Sequence, residues 1–231
     1  GAVLAIRLGV DAVLGSSAVA LCSFLGALGV MVVVYFLARV GRSLPPAALL
    51  LAGVAMAFTC SAASMVVQYT ASFTENFRIV KWMMGSLDWT QGRELVIAAI
   101  LVAVGVGVLF FLARDFNALS AGPDAAASVG VNVDRSVALA FGATTVIVGA
   151  VVALAGPIGF VGLIVPHILR RLIGPDHRAL LPASVLCGAG FVVLCDTLAR
   201  LVPNALPVGV VTALLGAPFF LLLLVREKSR A

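Results

Sequence analysis

Apolar residues in this chain come in long uninterrupted runs, with charged residues confined to short clusters between them. Runs at about 13–38, 46–70, 94–113, 136–155, 158–173, 179–201 and 207–225 are each bounded by charges or by Pro/Gly breaks. A bilayer core takes about 20 such residues per helix. The pattern therefore predicts an all-α, polytopic transmembrane helical bundle with seven complete spans, forming a single domain over 1–231. Residues 1–10, GAVLAIRLGV, are apolar but too short to cross, and read as the remnant of a further span that starts before this sequence.

The stretch 156–177, GPIGFVGLIVPHILRRLIGPDH, sets the span count. Without Gly156-Pro157 the uncharged run from Ser136 to Pro166 would read as one long tilted helix, and with it a hairpin is expected. The span at 158–173 is short. Pro166 removes a backbone donor and predicts a kink. Gly156, Gly159 and Gly162 predict a small-residue face for close helix approach.

Hydrophobic residues make up 62% of the chain and charged residues 11%, against the roughly 25% charged of a soluble domain, which excludes a soluble fold. The net charge of +5 does not point to nucleic acid, because the basic residues sit at span ends. With the first complete span running inward, Arg39, Arg42, Arg114, Arg135, Arg170, Arg171, Arg178, Arg226, Lys228 and Arg230 collect on the inner side. Arg7, Arg78, Lys81, Arg93 and Arg200 stay outside, interleaved with Asp11, Glu75, Asp88, Glu94 and Asp196. This follows the positive-inside rule and predicts a cytoplasmic C-terminus.

Two connections exceed simple turns. The outer one, at about 70–94, mixes charges with Trp82 and Trp89, which suit the membrane–water interface. The inner one, at about 114–135, has Leu119, then Pro123 at a helix start, an alanine run, and Gly130 as a stop. It predicts one or two short helices outside the membrane, longer and more structured than a connector needs, and so suited to docking a partner.

Candidate chemistry is sparse. Cys22, Cys60, Cys187 and Cys195 lie singly inside apolar runs and read as packing residues. His167 and His177, the only histidines, are not placed together as metal ligands and read as interface or capping residues. The chain has no phosphate-binding GxxxxGK[ST] loop, no HExxH and no Gly-x-Ser-x-Gly elbow, so no catalytic residue and no metal or permanent cofactor is expected. No acid or base lies near the middle of a span, where ion-coupled transporters usually need one, so energy is expected from outside the chain. In 46–70, Ala57, Ser61, Ser64, Met65 and Gln68 share one helical face. That stripe reads equally as a pathway wall or a helix–helix seam. Asp196 and Arg200 are an i, i+4 pair of the favourable order. The pattern alone leaves a driven transporter, a seven-span receptor and a self-sufficient secondary transporter open.

The block GPIGFVGLIVPHILRRLIGPDHRALLPAS, with DTLAR and LPVGVVTALLGAPFFLLLL after it, resembles the permease subunits of ATP-binding-cassette importers for cobalamin, haem and ferric siderophores. LLLAGVAMAF, WMMGSLDW and NALSAGPDAAASVGV are similar to the same family's pattern in the same order. The resemblance implies ten spans per subunit, with those here the fourth to tenth. It also implies a homodimer around a central pathway in the bacterial inner membrane, two cytoplasmic ATPase subunits that use the ATP, and a periplasmic binding protein. On this chain it implies ATPase-coupling roles for Leu119, Ala121, Gly122, Asp124, Ala125, Ala126, Val129 and Gly130. Arg200 would dock the binding protein, and Ala57, Ser61, Ser64, Met65 and Gln68 would line the pathway. Ser43, Leu44, Pro45 and Pro46 would form the cytoplasmic gate, with prolines where the family often has polar residues. The family's Glu-Leu-Pro is Ala205-Leu206-Pro207 here.

Overall fold

A computed structural model of the chain describes residues 1–10, 16–39, 45–87, 92–202 and 206–228. The described residues form helices joined by turns: α1 (Ala2–Arg7), α2 (Ser16–Ala38), α3 (Pro46–Thr70), α4 (Phe73–Met83), α5 (Gly92–Phe111), α6 (Ala113–Leu119), α7 (Pro123–Ser128), α8 (Val133–Ala155), α9 (Val161–Ile173), α10 (His177–Leu201) and α11 (Val208–Lys228). They fall into two compact units, one of residues 1–80 and 90–154, the other of 81–89 and 155–231.

Helix ends follow local chemistry. Pro45 is extended, and Pro46 opens α3 as its first residue, where the missing N–H costs nothing. Asn132 Oδ1 accepts from the Arg135 amide, which starts α8 three residues earlier than the hydrophobic run implied. Asp176 Oδ1 does the same for the Arg178 amide at the start of α10. Ser72 and Glu75 form a capping box: the Ser72 amide donates to Glu75 Oε2 at 2.8 Å and the Glu75 amide to Ser72 Oγ at 3.4 Å. The box turns part of the expected outer loop into α4, whose single buried side chain is Ile79. Trp82 lies in α4; Trp89 lies outside the described residues.

In the first unit α2 packs on α3, and α1 packs on both. The second unit is built on α9, α10 and α11, with Val165 and Leu169 of α9 buried against Leu180 of α10, and Val161, Ala183 and Phe191 around them. Most side chains elsewhere face outward. The most apolar 18-residue window of α3 has none of its residues buried, and those of α2, α5, α8 and α10 have at most 17%. Helices that hide so little apolar surface need lipid, where a leucine gains nothing by leaving its neighbours.

The expected count of seven complete spans needs correction. Five helices among the described residues are long and apolar enough to cross: 17–38, 47–70, 92–111, 133–155 and 177–201. The candidate at 158–173 is instead the 13-residue α9, about 20 Å long at 1.5 Å per residue and short of a 30 Å core. Gly156, at φ +69, ends the preceding helix, and Gly174, at φ +91, ends α9. Gly156-Pro157 breaks the helix as expected, with α8 ending at Ala155 and α9 beginning at Val161 and continuing through Pro166. The three-glycine face does not form. A Cβ on Gly156 would lie 2.5 Å from the Trp82 carbonyl oxygen, whereas Cβ atoms on Gly159 and Gly162 would meet nothing within 4 Å. The last candidate is α11, 21 residues long.

Candidate coupling loop and pathway face

Between α5 and α8 the chain leaves the long helices and makes two short ones. Each turn of this excursion is closed by its own hydrogen bonds. The Phe116 amide donates to the Leu112 carbonyl, the Gly122 amide to Leu119 and the Ala126 amide to Gly122, all at 2.9–3.0 Å. Ser120 Oγ donates back to the Asn117 carbonyl at 2.6 Å and Ser128 Oγ to the Ala125 carbonyl at 2.7 Å. Gly122, at φ +110, makes the corner, and Pro123 follows as the first residue of α7.

The exit from α7 is a Schellman motif. The Val131 amide donates to the Ala126 carbonyl at 3.1 Å and the Gly130 amide to Ala127 at 3.0 Å, with Gly130 at φ +88. Asn132 then caps α8 immediately. The loop is therefore a preformed solid body rather than a tether.

A side-chain hydrogen bond joins that body to a long helix. Ser136 Oγ donates to Asp115 Oδ2 at 2.6 Å, across 21 residues of sequence. Ser136 is 3% exposed, and its 2.6 Å separation lies in the range of charge-assisted bonds. Sequence reasoning did not find this pair, because no spacing rule links a residue of α6 to one in the first turn of α8.

The eight residues singled out here divide by exposure. Ala126 is fully buried and anchors α7 from within. Leu119 and Gly122 are half-buried, and Ala121, Asp124, Ala125, Val129 and Gly130 are exposed. The outward face of α7 is thus one of small side chains, with one carboxylate and the 72%-exposed Val129.

The stripe on α3 faces outward as well: Ala57, Ser61 and Met65 are exposed, Ser64 and Gln68 half-buried. Ser64 Oγ donates to the Cys60 carbonyl at 2.8 Å, so its hydroxyl is satisfied within the helix. Pro45 and Pro46 stand at the start of α3, and Ser43 and Leu44 lie outside the described residues.

At the other end of α3, Arg7 of α1 reaches across. Its Nη1 lies 3.0 Å from both carboxylate oxygens of Glu75, and its Nη2 donates to the Thr70 carbonyl, the last of α3, at 3.1 Å. The capping amide and hydroxyl of Ser72, with Arg7 beside them, hold the Glu75 carboxyl below its ordinary range against the opposing effect of burial. Arg7 and Glu75, both assigned to the outer side from sequence, thus meet at one end of the first unit. In the second unit Arg200 Nε donates to Asp196 Oδ2 at 2.7 Å, an exposed i, i+4 pair as expected. Of the histidines, His167 sets its ring edge-on to Phe219, with centroids 6.4 Å apart, and His177 is the first residue of α10.

Apolar helices of bilayer length, interrupted by a self-capped pair of short helices, define a multi-pass membrane protein. The chain belongs to the FecCD transport family, whose profile matches residues 1–226. It is 42% identical over 231 residues to the cobalamin import system permease protein BtuC of Halobacterium salinarum, covering 100% of this chain and 62% of that protein. It is 38% identical over 210 residues to the hemin transport system permease protein HmuU of Yersinia pestis, covering 90% of this chain and 63% of that one. A solved structure described as the inward-facing conformation of an ABC transporter assigned to the metal-chelate type superposes with a TM-score of 0.87 at 29% identity, over 98% of this chain and 71% of that one. The chain spans about three fifths of the length of these two curated relatives. Membership of a transport family removes the receptor reading.

Proposed function

We propose that this chain is the membrane-spanning permease of an ATP-driven importer that moves a bulky metal chelate, of the corrin, haem or siderophore kind, across the bacterial inner membrane. The observation that carries this reading is the 113–132 loop: a rigid two-helix body with an outward face of small side chains, bonded to the base of α8 by Asp115 and Ser136. Such a face fits into a groove on a partner, and a stiff body transmits displacement where a floppy one absorbs it. A cytoplasmic ATPase seated on α7 pushes α6 and α8 as one piece. The hydrolysis of ATP takes place in that separate subunit.

The remaining parts fit around this element. The outward faces of α3, rich in small residues, suit a second copy of the chain and a pathway between the two, along which Ala57, Ser61, Ser64, Met65 and Gln68 are the wall. Pro45 and Pro46, with Ser43 and Leu44, close its inner end. The C-terminus lies in the cytoplasm with the coupling loop, and Arg200 lies on the outer face, where its guanidinium meets an acid of the periplasmic binding protein.

The test is copurification and coupling. Full-length permease carrying Asp124→Arg, reconstituted with its ATPase in vesicles, is expected to keep its fold while ATP hydrolysis no longer drives uptake. Uptake per ATP equal to that of the unaltered protein would overturn the assignment of the loop.

A further inference from the structure

Among the described residues Phe160 is the one non-glycine with positive φ, at φ 67 and ψ −25, immediately before α9. A β-carbon in this region crowds the following carbonyl, which disfavours it by about tenfold for an ordinary residue. Yet Phe160 is the first acceptor of α9: its carbonyl takes the Leu163 amide at 3.0 Å and the Ile164 amide at 2.9 Å. No side chain caps the helix in its place. Something outside the local chain holds this conformation.

The holder is a notch in α11. A Cβ built on Gly216 would overlap the Phe160 side chain, reaching 2.7 Å from Cδ1 and closer still to the atoms at its root. The ring thus occupies the space that any other residue at 216 would fill. Two residues on, Pro218 lies inside α11 and lacks the amide that would close that turn.

The chain on the other side of Phe160 is fixed. Gly85, Gly156 and Gly209 interlock: a Cβ on Gly85 would lie 2.7 Å from the Pro157 carbonyl oxygen, and one on Gly209 would strike the Met84 carbonyl. The Ser86 amide donates to the Ala155 carbonyl at 2.8 Å. Only 158–160 separate this knot from α9, and Gly159 has open space around its α-carbon. Pro157 itself lines an open groove of about 590 Å³, with Met84, Ala213, Leu214 and Pro218 also in its wall.

We propose that Phe160 is a sprung latch. Seated in the Gly216 notch, its ring holds the first turn of α9 in a strained entry; withdrawn from the notch, it lets residue 160 relax to negative φ and re-aims α9 against α11. The two seatings are discrete because the ring either fills the notch or leaves it. The transport reading gives these two positions a use, but the latch is tested without it.

The experiment is hydrogen exchange of the Leu163 and Ile164 amides in full-length protein in lipid vesicles, with the Leu180 region of α10 as the internal reference. Gly216→Ala, which evicts the ring, is expected to speed exchange at 163 and 164 by about tenfold while the reference is unchanged. Phe160→Ala, which leaves α11 untouched, should do the same, and adding Gly216→Ala to Phe160→Ala should have no further effect. Equal acceleration by Gly216→Ala with and without the ring would mean that the substitution merely damages α11, and would overturn the latch. So would exchange at the unaltered rate in Phe160→Ala. Cargo uptake measured alongside reports separately on the transport reading: a latch confirmed by exchange in a protein that moves no chelate refutes only the latter.

Discussion

Ser136→Ala removes a hydrogen bond that ties the two-helix loop to α8 and leaves the half-buried Asp115 carboxylate without that donor. A bond to a charged partner contributes about 1.5–3 kcal/mol, and water reaching the half-buried Asp115 keeps the loss from exceeding that range. Detachment of α6 from α8 should therefore become easier by about tenfold to a hundredfold. Three measurements follow from this. Limited proteolysis of vesicle-embedded protein should cut within 112–132 faster by that factor. ATP hydrolysed per cargo imported should rise, because a loosened loop yields where a fixed one pushes. In a double-mutant cycle, Asp115→Ala combined with Ser136→Ala should cost less than the two singles added together, since the pair leaves no unpaired charge. A Ser136→Ala protein cleaved at the unaltered rate, with strictly additive effects in the cycle, would show that the loop is held by something other than this bond.

Three further outcomes are expected. Gly130→Val forces a β-branched residue to φ +88 and should destabilise the α7 exit by about 1–2 kcal/mol, read as faster loop proteolysis. Gly130→Asn, which tolerates that region better, should lie between the two; equal rates for all three would refute the Schellman assignment. The folded Glu75 carboxyl titrates below the ordinary 4.5, so its stabilising contribution is fully present above 4.5 and is lost as pH falls through the lower folded value. Acid melting curves of Glu75→Gln should lack that loss, and superimposable curves would show that the Glu75 contacts with Ser72 and Arg7 do not contribute to stability. Reversal of Arg200 to Glu should weaken capture of the periplasmic binding protein, with the difference shrinking as salt rises; unchanged affinity at low salt would take Arg200 off the docking face.

How far the sequence could be read depended on the range of the interaction concerned. Pro46, Pro123 and Gly130 act within a turn of themselves, and each stands where the local rules put it. The capping box at Ser72 and Glu75 was equally local, yet the mixed charges around it made 70–94 read as a loop. The small face expected of Gly156, Gly159 and Gly162 failed because the spacing was applied to a helix, and the first two precede the one that forms.

What the amino acids alone determined was the membrane, the helices and the pair of short helices between α5 and α8, because a long apolar run has one stable environment and caps are settled by nearest neighbours. The tertiary structure decided which residues those helices bring together. Arg7 meets Glu75 across 68 residues and Asp115 meets Ser136 across 21. Phe160 holds a conformation its own neighbours disfavour because Gly216 leaves room for its ring. Such pairings depend on where whole helices pack, and in lipid that is set by the fit of small surfaces rather than by hydrophobicity, which is high in every one of the long helices.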